Sequence, residues 1–208
     1  GLAGEVERLG RRRALVITGT SIATKTGLLE RVTGLLGDRC AGAFSGSVQH
    51  VPKRTILDAA ARAREVRADC LVSLGGGSPI DTTKAVVLVL AEGVADEAGL
   101  NAYTNRHITA RAEVRPFGAE PPLPHIAIPT TLSAGEHSGH FGMTDEAHRR
   151  KDGGGHPLLV PRVVILDPEV TQVGVRVAQD VLEDDELAEL ALHGVGEEGR
   201  QPDQGRVG

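Results

Sequence analysis

Residues 69–84 read DCLVSLGGGSPIDTTK, and this stretch decides the fold. The apolar run Asp69–Leu74 leads into three consecutive glycines, and an apolar segment, Ile80–Ala91, follows Pro79. A short apolar run closed by glycine is typical of a buried strand, and proline is well tolerated in the first turn of a helix. The stretch therefore predicts a strand that passes through a tight glycine turn into a helix.

The glycine turn has the physical features of a site for a phosphate group. Glycine lets the backbone turn sharply and approach a ligand closely, and a helix start offers N–H groups and the positive end of its dipole. The turn is neither a GxGxxG fingerprint nor a P-loop, since Lys84 lies too far from the glycines. A tight turn without a ligand is the alternative. We predict that an anion, in particular a pyrophosphate, is held by Gly75, Gly76, Gly77 and Ser78.

Strands and helices alternate on both sides of this stretch. The pattern predicts strands at Arg13–Thr18, Cys40–Phe44, Asp69–Leu74, His125–Ile128, Gly139–Thr144 and Val163–Leu166. It predicts helices at Ser21–Leu36, Lys53–Ala68 and Ile80–Ala91, and a short one near Glu97–Thr104 in the otherwise irregular segment 93–122. Such alternation predicts βαβ units and a parallel sheet with helices on its faces, that is, an α/β fold.

Composition narrows the class of protein. Hydrophobic residues make up 40% of the 208 and aromatic residues only 2%, so we expect an aliphatic core. The net charge of −5 gives no reason to expect nucleic acid as a partner. No apolar run is long enough to span a bilayer, and we expect no signal peptide. The expected location is the cytoplasm, where Cys40 and Cys70 would be buried thiols.

A second polar segment, PTTLSAGE at 129–136, follows the predicted strand His125–Ile128. Ligands of parallel sheets bind at the carboxyl ends of the strands, where Thr130, Thr131 and Ser133 would lie. A loop that only caps its own turns is the alternative. Because the glycine turn ends another strand of the same sheet, we interpret the two segments as parts of one site.

The histidines invite a metal interpretation. His137 and His140 would share one face of a helix, but Gly135 and Gly139 argue against a helix there. HExxH and CxxC motifs are absent from the sequence. We therefore predict no metal site from these residues.

Four segments together resemble the iron-containing alcohol dehydrogenase family. They are RALVIT at 13–18, GGGSPIDTTK at 75–84, IPTTLSAGEHSGHFGMTDE at 128–146 and VVILDPEVT at 163–171. Their order and spacing, over Arg13 to Thr171, make the resemblance specific. The maleylacetate reductase branch looks closest, because the segment from Thr130 to Asp145 is one residue shorter than in the alcohol dehydrogenases proper and FSGSVQHVP stands at 44–52.

The resemblance implies a Rossmann-like cofactor domain at residues 1–171. The family's all-helical second domain, with one Asp and three His as metal ligands, would be largely missing, because residues 172–208 read as an acidic tail with one helix and a disordered end. We therefore do not expect this chain to bind the family's iron or zinc. Matching positions imply that the cofactor is bound by Gly76, Gly77, Ser78, Asp81, Thr130, Thr131 and Ser133, with Lys151 near its ribose and His50 near its phosphates.

The implied activity is that of an NAD(P)-dependent oxidoreductase. It would transfer a hydride between the nicotinamide and a small oxo-acid such as maleylacetate, or an alcohol or carbonyl compound, as in aromatic degradation. Gly19 stands where many family members have an Asp, which permits NADP as well as NAD. No catalytic acid is assigned. The expected partners are a small-molecule substrate and a second copy of the chain in a homodimer, but neither nucleic acid nor a membrane. Two alternatives stay open: a nucleotide-binding remnant without catalysis, and an unrelated sugar-phosphate or nucleotide-phosphate binder.

Overall fold

A computed structural model of the chain describes residues 1–104, 123–174 and 176. The strands are β1 (Ala14–Gly19), β2 (Cys40–Ser47), β3 (Cys70–Gly75), β4 (His125–Pro129), β5 (His140–Asp145), β6 (Arg150–Gly155) and β7 (Val163–Val164). Five of them form a parallel sheet in the order β2-β1-β3-β4-β7. The other two, β5 and β6, pair as an antiparallel hairpin. The predicted parallel, Rossmann-like α/β fold is confirmed.

Helices cover both faces of the sheet. They are α1 (Leu2–Arg8), α2 (Thr20–Lys25), α3 (Leu28–Leu36), α4 (Lys53–Glu65), α5 (Gly77–Ala91) and α6 (Glu97–Asn101). Successive residues of a strand point to opposite faces. Leu15 and Ile17 accordingly pack with α4 and α5, whereas Ala14 and Val16 pack with α1, α2 and α3. Both cores are largely aliphatic, as predicted.

One predicted helix, Ser21–Leu36, is wrong as a single element. The structure has α2 and α3 instead, separated at Thr26, whose backbone is extended with φ −137° and ψ 156°. The Thr26 hydroxyl donates to Ile22 O at 2.6 Å and accepts from Leu28 N at 3.2 Å. This side chain therefore ends one helix and begins the next, because threonine competes with the helical backbone for hydrogen bonds.

The sheet order creates a switch point at the carboxyl end of β1. Strand β1 pairs with β2 on one side and with β3 on the other. The connections that follow β1 and β3 therefore run to opposite sides of this point. Ligands of open α/β sheets bind in the crevice at such a point. Gly19 and Gly75 end the two strands that flank it.

The predicted boundary at residue 171 falls within a helical stretch, 168–174. The rest of the predicted tail, apart from residue 176, lies outside the described residues, and the division into 1–171 and 172–208 stays a prediction. Within the described parts of the chain, no helix is both long and apolar enough to cross a bilayer. Of the two cysteines, Cys70 is buried as predicted, but Cys40 is only half-buried.

Candidate functional site

The glycine turn joins β3 to α5 as the sequence predicts. Gly75 has φ +146°, and a Cβ atom added there would lie 2.6 Å from Pro79 Cγ. Only glycine meets both conditions without strain. Gly76 is the residue before α5, and Gly77 is its first residue. Because the first N–H groups of a helix lack partners within it, this turn presents backbone donors at the edge of the sheet.

A cleft of about 540 Å³ opens above the switch point. It is formed by the carboxyl ends of β1, β2, β3 and β4 and the segments that follow them. Its walls are Gly19, Thr20, Ser21, Ile22, Ser47, Val48, Gln49, Gly75, Gly76, Gly77, Ser78, Pro79, Thr130, Thr131 and Gly174. We call this space the first cleft. None of the described residues that line it carries a charged side chain.

The loop after β4 forms one wall of the first cleft and packs on the glycine turn. Thr130 N donates to Gly75 O at 3.0 Å. A Cβ atom on Gly76 would lie 2.8 Å from Thr131 Oγ1, and one on Gly77 would lie 3.6 Å from Ser133 Cβ. The two segments that the sequence predicts to form one site are therefore in contact.

A smaller space of about 240 Å³ adjoins the first cleft, with which it shares Gly77 and Ser78. We call it the second cleft. Its further lining residues are His50, Val51, Asp81, Gly142, Met143, Lys151 and Asp152. The structure thus brings together the residues predicted for the site, which lie far apart in the sequence. Nine of them line one cleft or the other, and Ser133 packs beside Gly77.

Asp81 is the acidic residue of α5 that faces the second cleft. Its Oδ2 accepts from Gly142 N at 2.9 Å, and its Oδ1 lies 3.5 Å from Lys84 Nζ. Burial raises the pKa of Asp81, while the Gly142 N–H and the Lys84 ammonium act in the opposite direction. The carboxylate therefore ties strand β5 to α5 at the floor of the cleft.

His50 and Val51 adopt an unusual backbone at the rim of the second cleft, with φ of +66° and +51°. A β-branched residue such as valine rarely adopts this conformation. Thr144 of β5 holds the turn, because its hydroxyl donates to His50 O at 2.8 Å and its N–H donates to Val51 O at 2.9 Å. The hairpin thus fixes where the His50 backbone lies.

Sequence reasoning missed part of the first cleft. Ser47, Val48 and Gln49 stand at the end of β2, beside the end of β1. The alternation of strands and helices could have placed them at the end of a strand, but that strand was predicted to end at Phe44. Gly174 lies in the helical stretch 168–174, and no sequence pattern predicted it to line the cleft. A Cβ atom at this position would overlap Thr130.

Among the described residues, no group of three or more His, Cys, Asp and Glu side chains could hold a metal ion. His137 lies in a single 3-10 turn, Gly135–His137, and His140 begins β5. They do not share a helix face. The described residues therefore contain no counterpart of the family's metal site.

Comparison with known proteins gives the family. The profile of the iron-containing alcohol dehydrogenases matches residues 1–168. The chain belongs to the iron-containing alcohol dehydrogenase family. It is similar to the maleylacetate reductase of Burkholderia cepacia, with 32% identity over 170 residues, which are 82% of this chain and 38% of that protein.

Comparison with solved structures finds the same fold in other proteins. A putative alcohol dehydrogenase from Ralstonia eutropha JMP134 superposes with a TM-score of 0.61 at 36% identity, over 82% of this chain and 38% of that one. The sulfoacetaldehyde reductase of Bifidobacterium kashiwanohense, solved in complex with NAD+, gives a TM-score of 0.69 at 20% identity, over 81% and 42%. This chain spans about 38% of the length of the curated relatives that it matches.

Proposed function

We propose that this chain is the dinucleotide-binding part of an NAD(P)-dependent oxidoreductase of the iron-containing alcohol dehydrogenase family. One observation carries the proposal. Two adjoining clefts meet at Gly77 and Ser78, directly at the switch point of a parallel sheet. An elongated ligand with a phosphate group at its centre suits this arrangement, since the helix start binds the phosphate and the two clefts receive the two ends.

The residues suggest an orientation for the dinucleotide. The pyrophosphate would bind the N–H groups of Gly76 and Gly77 and the hydroxyl of Ser78. The adenosine would extend toward Gly19, Thr130 and Thr131 in the first cleft. The nicotinamide would point toward the second cleft, with Asp81 near the ring. Lys151 would lie near the ribose of the nicotinamide, and His50 near the phosphates. Ser133 would support the wall beside Gly77.

The nicotinamide supplies the redox chemistry. A hydride would pass from the reduced ring to a carbonyl or alkene carbon, and a proton would complete the reduction. This chain's residues bind and orient the cofactor, while no described residue is assigned as the acid. Several relatives are named maleylacetate reductase and one is named long-chain-alcohol dehydrogenase, so we propose a small oxo-acid such as maleylacetate as substrate, or otherwise an alcohol or carbonyl compound.

Calorimetric titration of the chain with NADH and with NADPH tests the proposal. Ser78→Asp places a negative charge in the first turn of α5, where it stabilises a helix but repels a pyrophosphate. Ala61→Asp adds the same charge on the exposed face of α4, away from both clefts, and is the matched control. We expect binding by the wild type and by Ala61→Asp, and none by Ser78→Asp.

A folded wild-type chain that binds neither dinucleotide would contradict the proposal. Binding of inorganic phosphate without binding of NADH or NADPH would identify a phosphate binder of another kind. Incubation with NADH and maleylacetate then separates a complete catalyst from a part that only binds the cofactor, because only the former oxidises NADH.

A further inference from the structure

Lys84 is a fully buried lysine in α5, with a side chain that is 0% exposed. Its ammonium donates to Gly135 O and to His140 O, both at 2.6 Å, and it lies 3.5 Å from Asp81 Oδ1. Burying a charged amine is costly unless it is paired and hydrogen-bonded. These three oxygen atoms supply the partners, and they come from three different segments.

The contacts connect α5 to two of the segments that pack on it. Gly135 belongs to the loop after β4, and His140 begins β5. Asp81, which Lys84 contacts, in turn accepts from Gly142 N in β5 at 2.9 Å. Lys84 and Asp81 thus hold the loop and the hairpin on the same helix. Lys84 itself lines neither cleft.

A second carboxylate, that of Glu136, acts electrostatically on this ammonium. Glu136 is 5% exposed, and its Oε2 is buried without a hydrogen-bond partner among the described residues. Burial lowers the pKa of Lys84, whereas the charges of Asp81 and Glu136 raise it. The loop after β4 therefore meets Lys84 both through the Gly135 carbonyl and through the charge of Glu136.

The loop that Lys84 holds forms one wall of the first cleft. It carries Thr131, whose Oγ1 lies 2.8 Å from the Cβ position of Gly76, and Ser133, which packs beside Gly77. We propose that Lys84 is a positioning residue of the cleft: it fixes the loop against the glycine turn and so raises the affinity for a dinucleotide that it does not touch.

Hydrogen exchange of the ligand-free chain tests the positioning role directly. Lys84→Met keeps the length and apolar stem of the side chain but removes its donors and charge. We expect the amides of 130–142 to exchange about tenfold faster or more, because hydrogen bonds to a charged group are lost there. The rest of the sheet should keep its protection.

Lys53→Met is the matched control. Lys53 is also buried, at 2% exposure, and bonds Asp145 Oδ2 at 2.8 Å and Asn101 Oδ1 at 2.5 Å. It thus anchors the far end of β5 and has no contact with the loop after β4 among its described hydrogen bonds. We expect faster exchange near Asp145 and no change at 130–137. The same pattern of exchange in both variants, or unchanged exchange in Lys84→Met, would overturn the inference.

The affinity for dinucleotide gives a second test, which rests on the proposed function. Titration of NADH and NADPH, followed by nicotinamide fluorescence, should show Kd raised about tenfold or more by Lys84→Met and changed less than about twofold by Lys53→Met. Unchanged affinity in Lys84→Met would overturn the positioning role. If the wild type binds neither dinucleotide, the proposed function fails, and the exchange experiment alone decides the role of Lys84.

Lys84→Met removes a positive charge that acts on the buried Glu136. A buried carboxylate without this compensation could prevent folding. The double variant Lys84→Met/Glu136→Gln removes both charges, with Glu136→Gln alone as its reference. If the folded double variant exchanges and binds as Glu136→Gln does, Lys84 has no positioning role. Faster exchange at 130–142 and weaker binding in the double variant support that role.

Discussion

His125 Nε2 lies 2.8 Å from Ser73 Oγ between the adjacent strands β4 and β3. His125 is 3% exposed, and its Nδ1 has no hydrogen-bond partner among the described residues. Burial lowers the pKa of His125 to about 3, and the charge of Lys84 acts in the same direction. The folded chain therefore holds this histidine neutral at every pH at which proteins are normally handled.

This histidine should make the fold less stable in mild acid. The unfolded chain takes up a proton below about pH 6.5, whereas the folded chain does not until about pH 3. Stability from this group is thus full above pH 6.5 and declines as the pH falls toward 3. Between pH 7 and pH 5 we expect a loss of about 2 kcal/mol in the free energy of unfolding from His125 alone.

Urea unfolding at pH 7 and pH 5 measures the effect. His125→Gln keeps a hydrogen-bonding group for Ser73 but does not titrate, so its stability should fall by about 2 kcal/mol less than that of the wild type. His140→Gln, at an exposed position of β5, is the control and should follow the wild type. Equal pH dependence in wild type and His125→Gln would show that His125 is not held neutral.

Gly75→Ala should destabilise the fold by about 3 kcal/mol or more, because a side chain is strained at φ +146° and its Cβ would overlap Pro79. Gly34→Ala is the control in α3, where a Cβ atom meets nothing within 4 Å. That variant should be more stable than the wild type by about 0.5–1 kcal/mol. Chemical denaturation compares the two, and a neutral Gly75→Ala would mean that the turn relaxes freely.

His50→Gly should change stability and binding in opposite directions. Relief of the positive φ raises the free energy of unfolding by about 0.5–1 kcal/mol, whereas loss of the imidazole lowers the affinity for dinucleotide. Arg149→Gly relieves a similar strain, at φ +48°, in the turn of the hairpin and outside both clefts. It should gain stability and bind as the wild type does. Equal affinities for both variants would remove His50 from the proposed site.

Thr20→Asp should shift the cofactor preference toward NADH. No described residue of the first cleft is acidic. An acidic residue directly after β1 would accept a hydrogen bond from the ribose 2′-hydroxyl but repel a 2′-phosphate. We expect the ratio of Kd for NADPH to Kd for NADH to rise about tenfold or more. Thr24→Asp, on the same helix but outside the first cleft, should leave the ratio unchanged. An unchanged ratio in Thr20→Asp would place the adenosine elsewhere.

The sequence predicts the central strands well because their signals are local. Apolar runs such as Asp69–Leu74 end at glycine, and the observed β3 is Cys70–Gly75. Because the carboxyl ends of parallel strands lie at the same edge of a sheet, the glycine turn and the loop after β4 were predicted to lie together, and they are in contact. The position of a motif at a strand end was thus enough to bring most of the predicted site together.

Features that depend on tertiary contacts escaped prediction. Strand β6, with three glycines among its six residues, has no strand-like pattern and exists because it pairs with β5. The strand was therefore missed, although Lys151 within it was assigned to the site by resemblance. The break between α2 and α3 depends on two hydrogen bonds of the Thr26 hydroxyl, and the buried partners of Lys84 lie 51 and 56 residues away in the sequence.

The uncharged lining of the first cleft has a consequence for how binding responds to the solution. Backbone amides, hydroxyls and a helix start would attract the phosphates there, and such partial charges act only over short distances. Mobile ions screen long-range attraction between full charges far more than these short contacts. Binding to this cleft alone should therefore vary little with ionic strength.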